Sequence, residues 1–163
     1  MNLLLMRHGE AVDEAPDGDG ARWLTAKGRR VTREVAAHVA KHSPPSVVIT
    51  SALVRATQTA EILVAALGLE GGVTVDAHLA TGNVPAILRG LQEHRGEGTV
   101  AVVGHEPTLS ILVQRLLEDH RWPGFEKSGV CVLHWNGETK ARFEWALQPK
   151  KLRVIDDLGK LHG

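Results

Sequence analysis

A chain of 163 residues with 19 Lys and Arg against 19 Asp and Glu has no net field to hold nucleic acid or an anionic membrane, so basic groups must act locally. Its length suits one domain, 1–163, able to bury roughly 70% of the surface that its unfolded chain exposes. A single cysteine, Cys131, excludes an internal disulfide, and no stretch approaches the ~20 apolar residues of a spanning helix; the expectation is a cytoplasmic protein in a reducing compartment.

In chain order, Leu3-Leu4-Leu5-Met6 reads as the first strand, and Arg7-His8-Gly9 follows it directly. The stretch Asp13-Glu14-Ala15-Pro16-Asp17-Gly18-Asp19-Gly20 is acidic and rich in turn formers, so a mobile surface loop near the strand end is expected, placed where a lid would sit. Val31, Val35 and Val39 recur at helical spacing until Ser43-Pro44-Pro45 stops the helix. A second strand at Val47-Val48-Ile49 leads to a helix with the stripe Ala56, Ala60, Leu63 and Leu67, closed by Gly68.

Asn83 caps a third helix carrying Val84, Ile87, Leu88 and Leu91, and Val100-Ala101-Val102-Val103 is a third strand. Pro107 is placed at the first position of the next helix, whose apolar face is Leu109, Leu112, Val113, Leu116 and Leu117. Val130-Cys131-Val132-Leu133 and Phe143-Glu144-Trp145-Ala146-Leu147, separated by Asn136-Gly137, read as an added hairpin, with a tail from Pro149. The strands are continuously apolar rather than alternating, as strands covered on both faces are. Alternation of strand and helix therefore predicts a three-layer α/β/α sandwich around a mostly parallel central sheet.

Ligands of open α/β sheets bind beyond the carboxyl ends of strands, and three chemistry-bearing segments fall there: Arg7-His8-Gly9, Ser51 through Arg55 to Ala60, and Gly104-His105-Glu106-Pro107. A neutral imidazole is a competent nucleophile toward phosphorus, and His8 is the candidate. Bidentate guanidinium groups position and neutralise phosphoryl oxygens without a metal, which suits Arg7 and Arg55. His105 is expected to add a hydrogen bond, either protonated or from one nitrogen. Two nearby arginines should depress the His8 pKa, and its second ring nitrogen should donate to a backbone carbonyl. His38, His42, His94, His120, His134 and His162 show no metal-ligand spacing, and Trp23, Trp122, Trp135 and Trp145 read as core or rim.

Arg7, His8, Arg55 and His105, together with Leu24-Thr25-Ala26-Lys27-Gly28, resemble the histidine phosphatase superfamily, also called phosphoglycerate mutase-like, from Met1 to about Leu117. Short length, the sequence around Gly104-His105-Glu106-Pro107 and the Pro149-Lys150 ending look most like its SixA-type phosphohistidine phosphatases. That resemblance implies a metal-independent phosphatase of the phosphoglycerate mutase-like fold, with a covalent phosphohistidine on His8, phosphate held by Arg7, Arg55 and His105, and no cofactor. Mutases of the superfamily carry a glutamate donor in an insertion after the second helix; here that region is only Thr74 to Asn83, so Glu106 becomes the candidate proton donor and Asp76 a weaker one.

A missing strong acid costs least when the leaving group is imidazole, whose conjugate acid has a pKa of ~6.5. The expected substrate is thus a phosphohistidine-bearing protein, with no nucleic acid or membrane partner. Its alternatives are a small phosphorylated substrate, and a binding module that holds the anion without chemistry.

Overall fold

In the computed structural model, which describes residues 1–162 apart from the His162 side chain, apolar runs become strands where expected and pair through distant parts of the chain. The strands are β1 (Asn2–Arg7), β2 (Val47–Thr50), β3 (Thr74–Val75), β4 (Thr99–Gly104), β5 (Val130–His134), β6 (Arg142–Gln148) and β7 (Arg153–Ile155). They lie in the order β3-β2-β4-β1-β5-β6-β7. The first four in that order run parallel, whereas β5, β6 and β7 each run antiparallel to the neighbour before them.

Alternation of side chains across the pleat explains the continuous runs. Leu3, Leu5, Val100 and Val102 face one layer with α4 (Val84–Gln92) and α5 (Thr108–Leu117), while Leu4, Met6, Ala101 and Val103 face the other with α1 (Ala26–His42) and α2 (Val54–Leu67). Both faces are thus covered, as the α/β/α reading requires. On α5 the residues Leu109, Leu112 and Val113 are fully buried, each contributing on the order of 2 kcal/mol of apolar transfer.

Local punctuation acts as the residues dictate. Gly68 closes α2 with φ 64, the left-handed region that glycine enters without a Cβ clash, and the Asn83 side chain accepts from Ala86 N to start α4. Three details differ from the pattern. The helix after β4 begins at Thr108, so Pro107 lies one position earlier, at the cap. The segment from Pro149 is no free tail: it forms β7 against β6, and Leu161 packs into the core. A two-residue strand β3 and a four-residue helix α3 (His78–Thr81) are too short to leave a period in the sequence.

The Leu24-Thr25-Ala26-Lys27-Gly28 element has a mechanical role at the exit of β1. Leu24 is buried; the Thr25 hydroxyl accepts from Gly28 N at 2.9 Å and donates to Glu10 Oε2 at 2.8 Å; and Gly28 lets the helix backbone lie against Glu10. A methyl group at Gly28 would run into the Glu10 carbonyl. Gly28→Ala is expected to lower stability by about 1–3 kcal/mol through this overpacking, measured as a reduced midpoint in urea unfolding, whereas Gly71→Ala, with open space around it, should not.

Candidate active site

The order β2-β4-β1 sets three carboxyl ends side by side, and each candidate side chain leaves one of them. Arg7 is the last residue of β1 and pairs in register with Gly104, the last of β4; His8 and His105 come next, with ring centroids 5.2 Å apart. From the end of β2, Ser51 leads into α2, whose second residue is Arg55. His8 and Arg55 are each 8% exposed, and Arg7 and His105 are half-buried.

His8 is held by its backbone and by one ring nitrogen. Its N donates to Gly104 O at 3.0 Å, its carbonyl accepts from Ser128 N at 3.1 Å, and Nδ1 lies 2.7 Å from the Gly9 carbonyl. A carbonyl can only accept, so Nδ1 carries the proton and Nε2 keeps its lone pair. Gly9 N in turn donates to Thr59 Oγ1 at 3.0 Å, and the Thr59 hydroxyl donates to the Arg55 carbonyl at 2.8 Å, so α2 locks the loop after His8 and the arginine together.

Burial lowers the His8 pKa to about 4, partly opposed by the Gly9 hydrogen bond; His105, Arg55 and Arg7 push the same way as burial but less. The arginine effect expected from the sequence is therefore present but secondary. His105 is also lowered to about 4, again chiefly by burial and then by Arg55, which favours, of the two forms expected from the sequence, the neutral ring that donates from one nitrogen. Its Nε2 lies 2.6 Å from Ser51 Oγ, which also accepts from Leu53 N at 3.2 Å. The serine hydroxyl keeps its own hydrogen to donate to Nε2, and in the tautomer that accepts it the ring proton sits on Nδ1.

Arg7 Nη1 donates to Phe125 O at 2.8 Å. Arg55 Nη1 donates to the Asp19 carbonyl at 2.9 Å, and Nη2 reaches Asp19 Oδ2 at 3.3 Å. Asp19 also receives Arg22 Nη1 at 2.9 Å, and Arg22 Nε donates to Val12 O at 2.7 Å. The 13–20 loop expected to be free is thus tied to the site at its end, in a 3-10 turn at Asp19–Ala21.

After these contacts the buried nitrogens Arg7 Nε, Arg55 Nε and His105 Nδ1 have no partner; among the described residues the only other such side-chain atom is Trp122 Nε1, in the core. A buried donor left unpaired costs about 1–3 kcal/mol, so three in one place mark a site shaped for an acceptor that arrives with the ligand.

Glu106 follows His105, but its carboxylate accepts from Ser110 N and Ser110 Oγ at 3.1 and 2.6 Å and from Phe125 N at 3.3 Å, capping α5 and holding the 122–125 loop. Asp76 accepts from His78 N and pairs with the His78 ring, both at 2.9 Å. Ser51, Thr59 and Asp19 had no role in the sequence pattern. Ser51 stands directly after a strand, as His8 and His105 do, and that position was the available signal. Among the described residues, no group of three or more His, Cys, Asp or Glu is arranged to hold a metal ion.

The sequence profile of the histidine phosphatase superfamily (branch 1) matches residues 3–80, which contain Arg7, His8 and Arg55. A protein histidine phosphatase SixA, solved with tungstate, superposes with a TM-score of 0.85 at 28% identity, covering 94% of this chain and all of that one. This chain belongs to the histidine phosphatase superfamily. Its solved relatives make it a phosphatase of the SixA type in fold and sequence. An uncharacterized protein of Picosynechococcus sp. is 39% identical to the phosphatase over 116 residues, 67% of this chain and 68% of that one. The alpha-ribazole phosphatase of Shigella flexneri shares the fold, with a TM-score of 0.73 at 19% identity over 97% of each chain.

Because burial holds both rings neutral, imidazole signals of His8 and His105 in two-dimensional NMR should titrate near pH 4 rather than near 6.5. The sign for stability follows: the unfolded chain binds protons from about pH 6.5 downward while the folded rings do not, so stability falls as pH drops from 6.5 toward 4 and is flat for these groups above that range. Chemical shifts moving with a midpoint near 6.5 would contradict the buried, neutral state.

Proposed function

We propose that this phosphatase hydrolyses protein phosphohistidine by way of a covalent phosphoryl group on Nε2 of His8, with the described chain acting as one catalytic domain in the cytoplasm. The observation that carries the reading is the set of three unpaired buried nitrogens, Arg7 Nε, Arg55 Nε and His105 Nδ1, beside a histidine with a free lone pair. Phosphoryl oxygens accept from those nitrogens and end their isolation. Two guanidinium groups and an imidazole N–H supply charge and position around the equatorial oxygens, so the scheme draws on no metal and no organic cofactor.

In the first step the Nε2 lone pair of His8 attacks phosphorus while the bond from phosphorus to the substrate's imidazole nitrogen breaks. The substrate ring, protonated from solvent on its other nitrogen before the bond breaks, leaves with the electron pair as neutral imidazole. In the second step water attacks phosphorus, inorganic phosphate forms, and the His8 electron pair returns to Nε2. The Nδ1 hydrogen bond to Gly9 steadies the ring while it carries positive charge as phosphohistidine.

Leaving-group chemistry supports phosphohistidine as the substrate. Glu106 and Asp76 are both engaged in local hydrogen bonds, so neither stands free to protonate an alkoxide, and a departing imidazole needs that assistance least.

Brief incubation with labelled phosphohistidine protein, followed by a quench, should leave an acid-labile, base-stable label on His8. His8→Ala should lose both label and turnover, and Arg55→Ala should lower kcat/KM on the order of 10²–10³-fold. Undiminished binding of phosphate without any label would instead make the protein a binding module, and faster turnover of sugar phosphates would move the assignment to small phosphomonoesters. Ser51→Ala frees the His105 tautomer while keeping the ring, and is expected to cut kcat about tenfold, checked in single-turnover kinetics.

A further inference from the structure

The sheet places more than the phosphoryl site at the carboxyl end of β1. Because β5 is antiparallel to β1 and β6 to β5, the start of β5 and the end of β6 lie at the same edge as His8. Glu10 just after β1, Glu126 to Ser128 just before β5, and Pro149 to Lys151 just after β6 therefore meet there. With Lys27 and Gly28 from the first turn of α1 they line a cleft of about 660 Å³. Its wall is continuous with the proposed catalytic centre, since Ser128 N donates to the His8 carbonyl at 3.1 Å and Ser128 Oγ meets Thr32 Oγ1 at 3.0 Å beneath Gly9.

Lysines gather in this cleft. Seven lysines occur in the sequence, and four of them, Lys27, Lys127, Lys150 and Lys151, line this one cleft. All four are exposed, and among the described residues none forms an ion pair within 4 Å, although Glu10, Glu34 and Glu126 line the same walls. Lys27 also sits in the first turn of α1, where the helix dipole adds positive potential, with the Glu10 carboxylate on the Thr25 hydroxyl as the acidic group at that helix start. Ser128 and Lys151 hold φ values of 64 and 60, a backbone region that non-glycine residues seldom adopt, so the two loops carry local strain at this cleft.

We infer that this cleft docks an acidic segment of the phosphorylated protein, carboxylates against the four lysines, while its phosphohistidine enters the site at His8. The inference rests on the phosphohistidine-protein reading above. Three interspersed glutamates argue against a uniformly charged polyanion such as nucleic acid and for a protein surface whose carboxylates are spaced to meet the lysines. A substrate reduced to its phosphoryl group and imidazole does not extend into this cleft.

The test uses the full chain and three probes: an acidic and a basic carrier protein, each phosphorylated on histidine with phosphoramidate, and phosphoimidazole. Wild-type enzyme should hydrolyse the acidic carrier with kcat/KM about tenfold above the basic one at low ionic strength, an advantage that salt erodes. Combining Lys127→Gln, Lys150→Gln and Lys151→Gln, all exposed positions, should remove the advantage through KM and leave phosphoimidazole turnover unchanged. A triple variant that keeps the preference overturns the docking cleft, and so does a parallel loss with phosphoimidazole. Wild-type enzyme that turns over phosphoimidazole but neither carrier sinks the phosphohistidine-protein reading itself, and the docking cleft with it.

Discussion

Parallel pairing of β1 with β4, in the register that sets Arg7 opposite Gly104, is the constraint from which the rest of this site follows. One residue beyond that pair, the chain turns out of the sheet on both strands, and the two imidazoles come within 5.2 Å of each other. A slip of one residue in the ladder would turn Leu3, Leu5, Val100 and Val102 away from their helices, so the apolar layers on both faces enforce the register that the chemistry uses. Packing and the placement of the candidate site are in this sense set by the same hydrogen bonds.

The electrostatic character of the site comes from burial more than from its cations. Removing His8 and His105 from water is the largest influence on each ring, and it favours the neutral form that the proposed nucleophile and hydrogen-bond donor both need at neutral pH. The cost appears as unpaired nitrogens on Arg7, Arg55 and His105, which packing around them holds in place. Asp19 answers part of the positive charge from the loop, bridging Arg22 and Arg55 from an exposed position where such a pair is weak and can yield to a dianion.

Much of the architecture was legible in local pattern. Continuous apolar strands announced a sheet covered on both faces, and Gly68, Asn83 and Ser43 marked ends where their backbone or side-chain chemistry operates. Pieces of two to four residues, β3, α3 and β7, were not legible because no period develops over so few positions. The reading of Pro149 onward as a tail failed for a related reason: Arg153 and Val154 are exposed on an edge strand, so burial left little signature except at Ile155.

The amino-acid order alone determined which residues end strands, and so which side chains were eligible for the site: Arg7, His8, Arg55 and His105 follow from local periodicity and the steric preferences of neighbouring residues. Only the tertiary structure decided their partners. The carbonyl that sets the His8 tautomer, the serine against His105, the aspartate on Arg55 and the four lysines gathered beside Ser128 depend on contacts between segments far apart in the chain. Such contacts are fixed by strand order and layer packing, which leave no periodic trace in a single sequence.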